Sequence, residues 1–344
     1  MRLIHAAVLC ITCVFVLGCF TQVAEEREPL PEIVWPKPPG VPRIRFVNSI
    51  SRKEHLNIED EASKRLLGFF KGIKESFIIK PHGITTDVDG RLFVVDTFNR
   101  FIHVFDAKND VYYTFPEEDP LFVSPIGIAT DKSGMVFVTD SKEAVVRVFT
   151  DNGKTYVREI GKDILERPTG IAVNEKTGEL LVVDTLNSQI MRYSLATYKL
   201  KGIYGKSGTV EGRLHSPTNI FVSRDGFIFV TDALNFRIQI FSPEMEFIRS
   251  FGKAGDTPGS FSRPKGIAVD SDGHIYVVDA LFDSIQIFDR EGNPIMDFGG
   301  PGYKYGEFWL PSGISIDSND MIYVSDSYNN RVQVFEYLKG DKLF

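Results

Sequence analysis

Short apolar runs separated by polar turns follow one another along most of the chain, and they form a unit that recurs six times. In the copy at residues 262–298, the apolar runs are 267–269, 275–278, 285–288 and 295–298. The second and third runs are rich in β-branched and aromatic residues, and the third alternates with period two, as a strand with one buried face does. Asp, Gly and Asn between the runs supply turn chemistry. The pattern predicts four antiparallel strands per unit.

The copies are kept in register by two markers. The first strand of each unit opens with Pro-x-Gly-Ile, or once Pro-Thr-Asn-Ile, at Pro81, Pro125, Pro168, Pro217, Pro264 and Pro311. The second strand closes with an aspartate at Asp96, Asp140, Asp184, Asp232, Asp279 and Asp326, in steps of 44, 44, 48, 47 and 47 residues. A period of this length indicates a repeat architecture. Radial stacking lets each unit cover its neighbours' faces, which predicts an all-β, six-bladed propeller.

The repeated unit resembles a known family. Its consensus, Pro-x-Gly-Ile-Ala-Val-Asp, then Gly-x-Ile-Tyr-Val-x-Asp and Asn-x-Arg-Ile-x-Ile-Phe, is similar to the NHL-repeat propellers, and the similarity covers residues 79–338. The resemblance implies a propeller of four-stranded blades. It implies no particular activity, because propellers carry many unrelated functions.

The N-terminus indicates export. Residues 1–18 combine an early Arg2 with an apolar run and read as a secretory signal. Residues 16–19, Val-Leu-Gly-Cys, resemble the bacterial lipobox, which implies that Cys19 is lipidated and becomes the first mature residue. Phe20 then favours sorting to the outer membrane, on its periplasmic side. A plain signal peptide and a short anchor helix are the alternatives.

Four further segments flank the repeats. Residues 19–42 are rich in Pro and Glu and predict a polyproline-type tether without a core. Residues 43–50 form a lone strand pattern, and because the last repeat has no fourth strand, we expect them to complete blade six and hide its edge. Apolar positions at helical spacing predict a helical insert within 51–78, docked on the propeller or binding a partner. Residues 339–344 form a C-terminal tail.

Composition narrows the functional classes. The formal net charge is −7, with no basic stripe, which argues against nucleic-acid binding. All three cysteines lie within the first 19 residues, so the mature chain is expected to have neither a disulfide nor a cysteine-held metal.

The variable residue of Pro-x-Gly-Ile is predicted to line the mouth of the central channel. These channel-mouth residues are His82, Ile126, Thr169, Thr218, Lys265 and Ser312. Peptidyl-hydroxyglycine lyases, which resemble this fold, hold a metal through histidines at several of these positions, and here only His82 matches. A catalytic zinc needs about three protein ligands, so a histidine-held metal is not expected.

The carboxylates are also expected to be structural. Propeller lactonases hold a metal with Glu, Asn and Asp in the channel, but Asp89-Gly90 and Asp272-Gly273 fit ordinary hairpin turns. The six closing aspartates are uniform, whereas a catalytic group would break the symmetry. We expect each of them to accept backbone N–H bonds within its own loop, especially where Asn99, Asn187, Asn235 or Asn329 follows.

The residue two positions after each closing aspartate is expected at a loop tip on the channel-mouth face. These residues, the partner-binding face, are Phe98, Lys142, Leu186, Leu234, Leu281 and Tyr328. NHL repeats usually carry Gly or a polar residue here, whereas five of these six are apolar. They either pack between blades or form a patch of the kind that marks partner surfaces.

The sequence therefore predicts a lipid-anchored, non-catalytic scaffold that binds a protein or peptide, without a cofactor. A metal-dependent hydrolase or lyase with its site in the central channel is the alternative. Binding of a small ligand or sugar at the channel mouth stays open.

Overall fold

The computed structural model describes residues 30–51, 77–117 and 121–339, and shows the six-bladed propeller. Five sheets have four antiparallel strands each, and the sixth has five. The signal sequence and Cys19, most of the helical insert, and residues 340–344 lie outside the described residues. Among the described residues, no helix has the length and apolar character needed to cross a membrane.

Blades one to three follow directly from the first three repeats. Their strands, each from the axis outward, are β3 (Pro81–Thr86), β4 (Leu92–Asp96), β5 (Phe101–Asp106) and β6 (Val111–Phe115); β7 (Pro125–Thr130), β8 (Val136–Asp140), β9 (Val145–Thr150) and β10 (Thr155–Ile160); and β11 (Pro168–Asn174), β12 (Glu179–Asp184), β13 (Gln189–Ser194) and β14 (Leu200–Tyr204). A 3-10 turn, Asp151–Gly153, joins β9 to β10.

Blades four and five repeat the order, and blade six uses both ends of the chain. Their strands are β15 (Asn219–Val222), β16 (Ile228–Asp232), β17 (Arg237–Phe241) and β18 (Phe247–Phe251); β19 (Pro264–Val269), β20 (Ile275–Asp279), β21 (Ser284–Phe288) and β22 (Pro294–Gly299); and β23 (Pro311–Ile316), β24 (Met321–Asp326) and β25 (Arg331–Tyr337), followed by β2 (Ile44–Ile50) and β1 (Val34–Trp35). A 3-10 turn, Ala233–Asn235, follows β16.

The predicted closing strand is confirmed. β2 pairs antiparallel with β25, with Ile44 opposite Tyr337 and Ile50 opposite Val332. Alternate side chains of β2 enter the core, where Ile44 and Ile50 are fully buried and Phe46 is 4% exposed. Because β2 comes from the front of the chain, pairing it with β25 removes the open edge of blade six.

The tether prediction is wrong for its last part. β1 pairs with β2 as a fifth strand, and the indole of Trp35 lies 5.8 Å from the rings of both Phe298 and Phe335. A two-residue edge strand can end beside Pro36, because no further strand of the described residues lies next to it. The N–H that proline lacks is therefore not needed for a hydrogen bond to a neighbouring strand. The large apolar surface of Trp35 then stabilises the pairing.

The core lies between neighbouring blades. The central strands are almost completely buried, and one cluster joins Phe137 and Val148 of blade two to Leu180 and Met191 of blade three. These strands are buried on both faces because blades stack face to face. The hairpins turn at glycines with positive φ, such as Gly90 at +84°.

Candidate functional site

The six closing aspartates act as structural clamps. All six are fully buried: Asp96, Asp140, Asp184, Asp232, Asp279 and Asp326. Asp96 accepts bonds from the backbone N–H of Ile79 at 2.7 Å and of Asn99 at 3.0 Å. Each carboxylate therefore joins the loop that follows its own strand, or the segment that leads into the blade, to the sheet.

The prediction of backbone bonds from each aspartate's own loop is confirmed for Asp96, Asp140 and Asp279, and it is wrong for Asp184, Asp232 and Asp326. These three carboxylates accept backbone N–H bonds from the segment that precedes the blade, at Arg167, His215 and Trp309. The loop that follows each strand contributes a side-chain bond instead, from Asn187, Asn235 and Asn329. In blades four and six the carboxylates also pair with Arg237 and Arg331, at 2.9 and 2.8 Å. The lead-in segment is the more constant partner, because the first strand begins beside the end of the second.

The glycine of Pro-x-Gly lets the inner strands approach one another around the axis. A Cβ on Gly127 would lie 2.2 Å from the carbonyl oxygen of Thr169, and one on Gly313 would lie 2.2 Å from that of His82. Blade four carries Asn219 at this position, and there the inner strand begins at Asn219 rather than at its proline. Because Asn219 has a Cβ where the other repeats have glycine, β19 of blade five approaches β15 less closely than the other inner strands approach their neighbours.

The inner strands surround an axial cavity of about 820 Å³, within the size range of small-molecule sites. Its wall includes all six channel-mouth residues: His82, Ile126, Thr169, Thr218, Lys265 and Ser312. Leu186, Leu234 and Leu281 of the partner-binding face line the same cavity, so its mouth opens on that face.

The apolar members of the partner-binding face point into solvent. Their exposed fractions are 66% for Phe98, 56% for Leu186, 52% for Leu234, 53% for Leu281 and 47% for Tyr328. Lys142 is exposed as well. Trp309, 53% exposed, extends this surface, with its ring 5.6 Å from that of Tyr328. Of the two arrangements that the sequence allowed, the structure has the exposed one.

The charged side chains on the cavity wall are all basic. Arg167 and Arg263 are exposed near its mouth, Lys265 is half-buried, and none of the described lining residues is Asp or Glu. Burial, together with the charges of Arg263 and Arg167, lowers the pKa of Lys265. Burial and the charge of Lys265 lower the pKa of His82 to about 4, so its imidazole is neutral at pH 7.

The donors in the cavity do not form a metal cage. His82 is the one histidine among the described lining residues, and its Nδ1 lies 3.3 Å from the carbonyl oxygen of Ile126. That bond leaves only Nε2 available, whereas zinc needs about three protein ligands. Across the described parts of the chain, no group of three or more His, Cys, Asp or Glu side chains is placed to hold a metal ion.

Three wall residues were not identified from the sequence. Arg167 and Arg263 immediately precede the repeat proline, outside the Pro-x-Gly-Ile motif that marks the channel mouth. Asn219 was visible as the exception to Pro-x-Gly-Ile, but its effect on the wall depends on the neighbouring blade. Aligning the repeats at the residue before the proline shows the two arginines, in repeats three and five.

Comparison with solved structures identifies the same fold in proteins of different function. A streptogramin B lyase is 14% identical with a TM-score of 0.57, covering 75% of this chain and 94% of that one. Virginiamycin B lyase from Staphylococcus aureus is 16% identical with a TM-score of 0.55, covering 75% and 95%. An auxiliary nutrient binding protein from Bacteroides thetaiotaomicron is 13% identical with a TM-score of 0.60, covering 78% and 74%. At this identity the similarity concerns the fold alone.

Sequence comparison agrees with the architecture. No curated protein matches the chain. Residues 308–335 match the model described as NHL repeat, and residues 211–292 match a model described as 6-bladed beta-propeller. Residues 308–335 are therefore similar to an NHL repeat, and the six observed blades make the chain a six-bladed β-propeller.

Proposed function

We propose that this protein is a non-catalytic binding propeller that docks a partner protein on the partner-binding face. The observation that carries the proposal is the exposure of five apolar side chains at equivalent loop tips around one cavity mouth. Exposed apolar surface concentrated on one face is typical of interaction sites. A rigid propeller presents such a surface with little ordering entropy to lose on binding.

Basic residues on and beside the partner-binding face indicate which kind of partner it would bind. Lys142 belongs to the face, and Arg167 and Arg263 are exposed beside the cavity mouth. Basic side chains around an apolar surface favour a partner with complementary acidic residues, because complementary charge speeds encounter and fixes register. The proposed occupant is an extended segment of another protein that combines apolar and acidic side chains.

The test uses a photo-crosslinking residue at Leu234, with the same residue at Val88 as the matched control. Val88 is 65% exposed and lies in the turn between β3 and β4, at the opposite end of the blade. In extracts of the source cells, we expect one protein to crosslink from Leu234 and not from Val88. Adding F98E and Y328E should abolish this crosslink while the melting temperature stays close to that of the parent.

Two outcomes would overturn the proposal. Identical crosslinks from both positions, or a crosslink that persists after the double charge substitution, would show that the face is not a docking surface. Unfolding of the double variant would show that Phe98 and Tyr328 stabilise the fold. Peptides from the captured partner then test whether the bound segment is acidic. We expect a peptide that spans the crosslinked segment to bind more weakly when its Asp and Glu are replaced by Asn and Gln.

The alternative, a metal-dependent hydrolase or lyase with its site in the channel, is less well supported. It needs several Glu, Asp or His ligands that converge, whereas the described cavity wall offers His82 and basic residues. Elemental analysis of the purified chain discriminates between the two functions, because the alternative requires a stoichiometric metal.

For the location of the protein, we propose a bacterial cell envelope, with the lipid on Cys19 holding the chain in the outer membrane on its periplasmic side. The supporting observation is the sequence Val-Leu-Gly-Cys at residues 16–19, after an apolar signal. A propeller held in this way would present its partner-binding face to periplasmic proteins.

A further inference from the structure

The axial cavity contains positive charge without internal compensation. Lys265 is half-buried in its wall, and Arg167 and Arg263 lie near its mouth. Within the described ranges, none of these three side chains forms an ion pair. The whole chain has a formal net charge of −7, whereas these three residues form a positively charged cluster.

Three other partly buried cations of the propeller have carboxylate partners. Arg237, Arg331 and Arg192 also lie partly buried, and each pairs with a carboxylate, at 2.9, 2.8 and 2.9 Å. A half-buried cation without a partner is unfavourable, because it loses hydration and gains no opposite charge. Acidic residues are abundant in this chain, yet the described cavity wall has none.

The wall also offers hydrogen-bonding groups and apolar surface. The Oγ1 atom of Thr218 is buried and has no hydrogen-bond partner among the described residues. Leu186, Leu234 and Leu281 line the mouth on the side of blades three to five, the side that also carries Arg167, Arg263 and Lys265. The polar groups and the leucines on this side of the wall could therefore contact the same ligand.

From this arrangement we propose that the axial cavity is a binding site for an organic anion. The ligand has one carboxylate or phosphate group, which pairs with Lys265 and Arg263, and an apolar body, which packs against the three leucines. Its anionic group supplies the charge that the wall lacks, and charge-assisted hydrogen bonds of this kind are among the strongest in proteins. The site shares these three leucines with the partner-binding face, but Phe98 and Tyr328 do not line the cavity, so the two proposals can be tested separately.

Electrostatics on both sides of the cavity agree with this assignment. The charges that lower the pKa of Lys265 are Arg263 and Arg167, and those that lower the pKa of His82 are Lys265 and Lys80. Burial is the largest cause of both pKa shifts, and these charges lower the two pKa values further, so both side chains also lie in positive potential. His82 stays neutral and can accept a hydrogen bond at Nε2, but it adds no charge.

Calorimetric titration of the purified full-length chain tests the proposal with four probes of the same length: hexanoate, hexyl phosphate, hexanol and hexylamine. We expect one or both of the anions to bind at least about tenfold more tightly than hexanol, since a hydrogen bond to a charged group contributes about 1.5–3 kcal/mol. The stronger of the two identifies the head group as carboxylate or phosphate. Hexylamine is expected not to bind.

Variants then locate the site. We expect Lys265→Met to weaken anion binding at least about tenfold and Arg263→Gln to weaken it several-fold. Lys108→Met is the control, because Lys108 is exposed in the turn between β5 and β6, at the end of the blade away from the mouth. It removes the same charge from the protein and should leave the Kd unchanged.

Equal affinity for hexanoate, hexyl phosphate and hexanol would overturn the proposal, and so would equal losses in Lys265→Met and Lys108→Met. If Lys265→Met unfolds, Arg263→Gln decides the outcome, because Arg263 is exposed. Failure here is distinguishable from failure of the docking proposal. F98E with Y328E should abolish the partner crosslink and leave anion binding intact.

Discussion

Substituting Phe46 with alanine tests whether the N-terminal strand holds the ring closed. Phe46 is 4% exposed, its ring stacks on that of Tyr305 with centroids 5.2 Å apart, and it meets Phe335 edge-on at 5.8 Å. The contact with Phe335 joins β2, from the front of the chain, to β25, the last described strand. Removing the ring leaves a cavity at the seam between the two ends of the chain.

The magnitude follows from the burial of this side chain. Replacing a buried phenylalanine by alanine costs about 3–5 kcal/mol, from lost transfer free energy and the remaining cavity. In a domain of this size, each kcal/mol shifts the melting temperature by about 2–4 °C. We therefore expect Phe46→Ala to lower the Tm by roughly 6–20 °C.

Thermal unfolding followed by circular dichroism measures the effect, and Arg45→Ala is the matched control. Arg45 lies on the same strand and its side chain is 48% exposed in a surface ion pair with Glu336, an interaction that contributes at most about 1 kcal/mol. A Tm of Phe46→Ala equal to that of Arg45→Ala would refute the closure argument. Deleting residues 43–50 should abolish cooperative unfolding altogether.

Three further predictions address the axis, acid stability and the anchor. Gly127→Ala should destabilise the fold by about 1–3 kcal/mol in urea unfolding, because its Cβ would lie 2.2 Å from the carbonyl oxygen of Thr169, whereas Gly202→Ala, with open space around it, should be neutral. His82 titrates in the unfolded chain near 6.5 but in the fold only at about 4, so it makes stability fall as pH drops from 6.5 to 4. His82→Gln should lose less stability over that range, and an equal loss would contradict the assignment. Cys19→Ser should move the protein from the membrane fraction to the soluble fraction on cell fractionation.

The blade count and ring closure could be predicted because they follow from periodicity. Each repeat carries its own strand pattern and turn residues, so the number of repeats gives the number of blades. Residues 43–50 could be assigned to blade six because they resemble a fourth strand, and the last repeat lacks one. Such arguments need no knowledge of individual side-chain contacts.

The fifth strand of blade six could not be predicted in the same way. Composition around Pro36 indicated a solvated spacer, and two residues are too few to show strand periodicity. What places Trp35 on the sheet is its contact with Phe298 and Phe335, which come from two different repeats. Tertiary packing of one large aromatic side chain therefore outweighed the local preference.

The candidate site depends on departures from the repeat rather than on the repeat itself. Residues shared by all blades, such as the closing aspartates, do the same structural work in each. The basic residues Arg167, Arg263 and Lys265 and the exceptional Asn219 all belong to blades three to five, as do the three leucines at the cavity mouth. A consensus of the six repeats hides these differences between blades. Only the closed ring shows that the differing residues lie on one side of the axis. We therefore expect anion binding on the side of the axial cavity formed by blades three to five, where the symmetry of the propeller is broken.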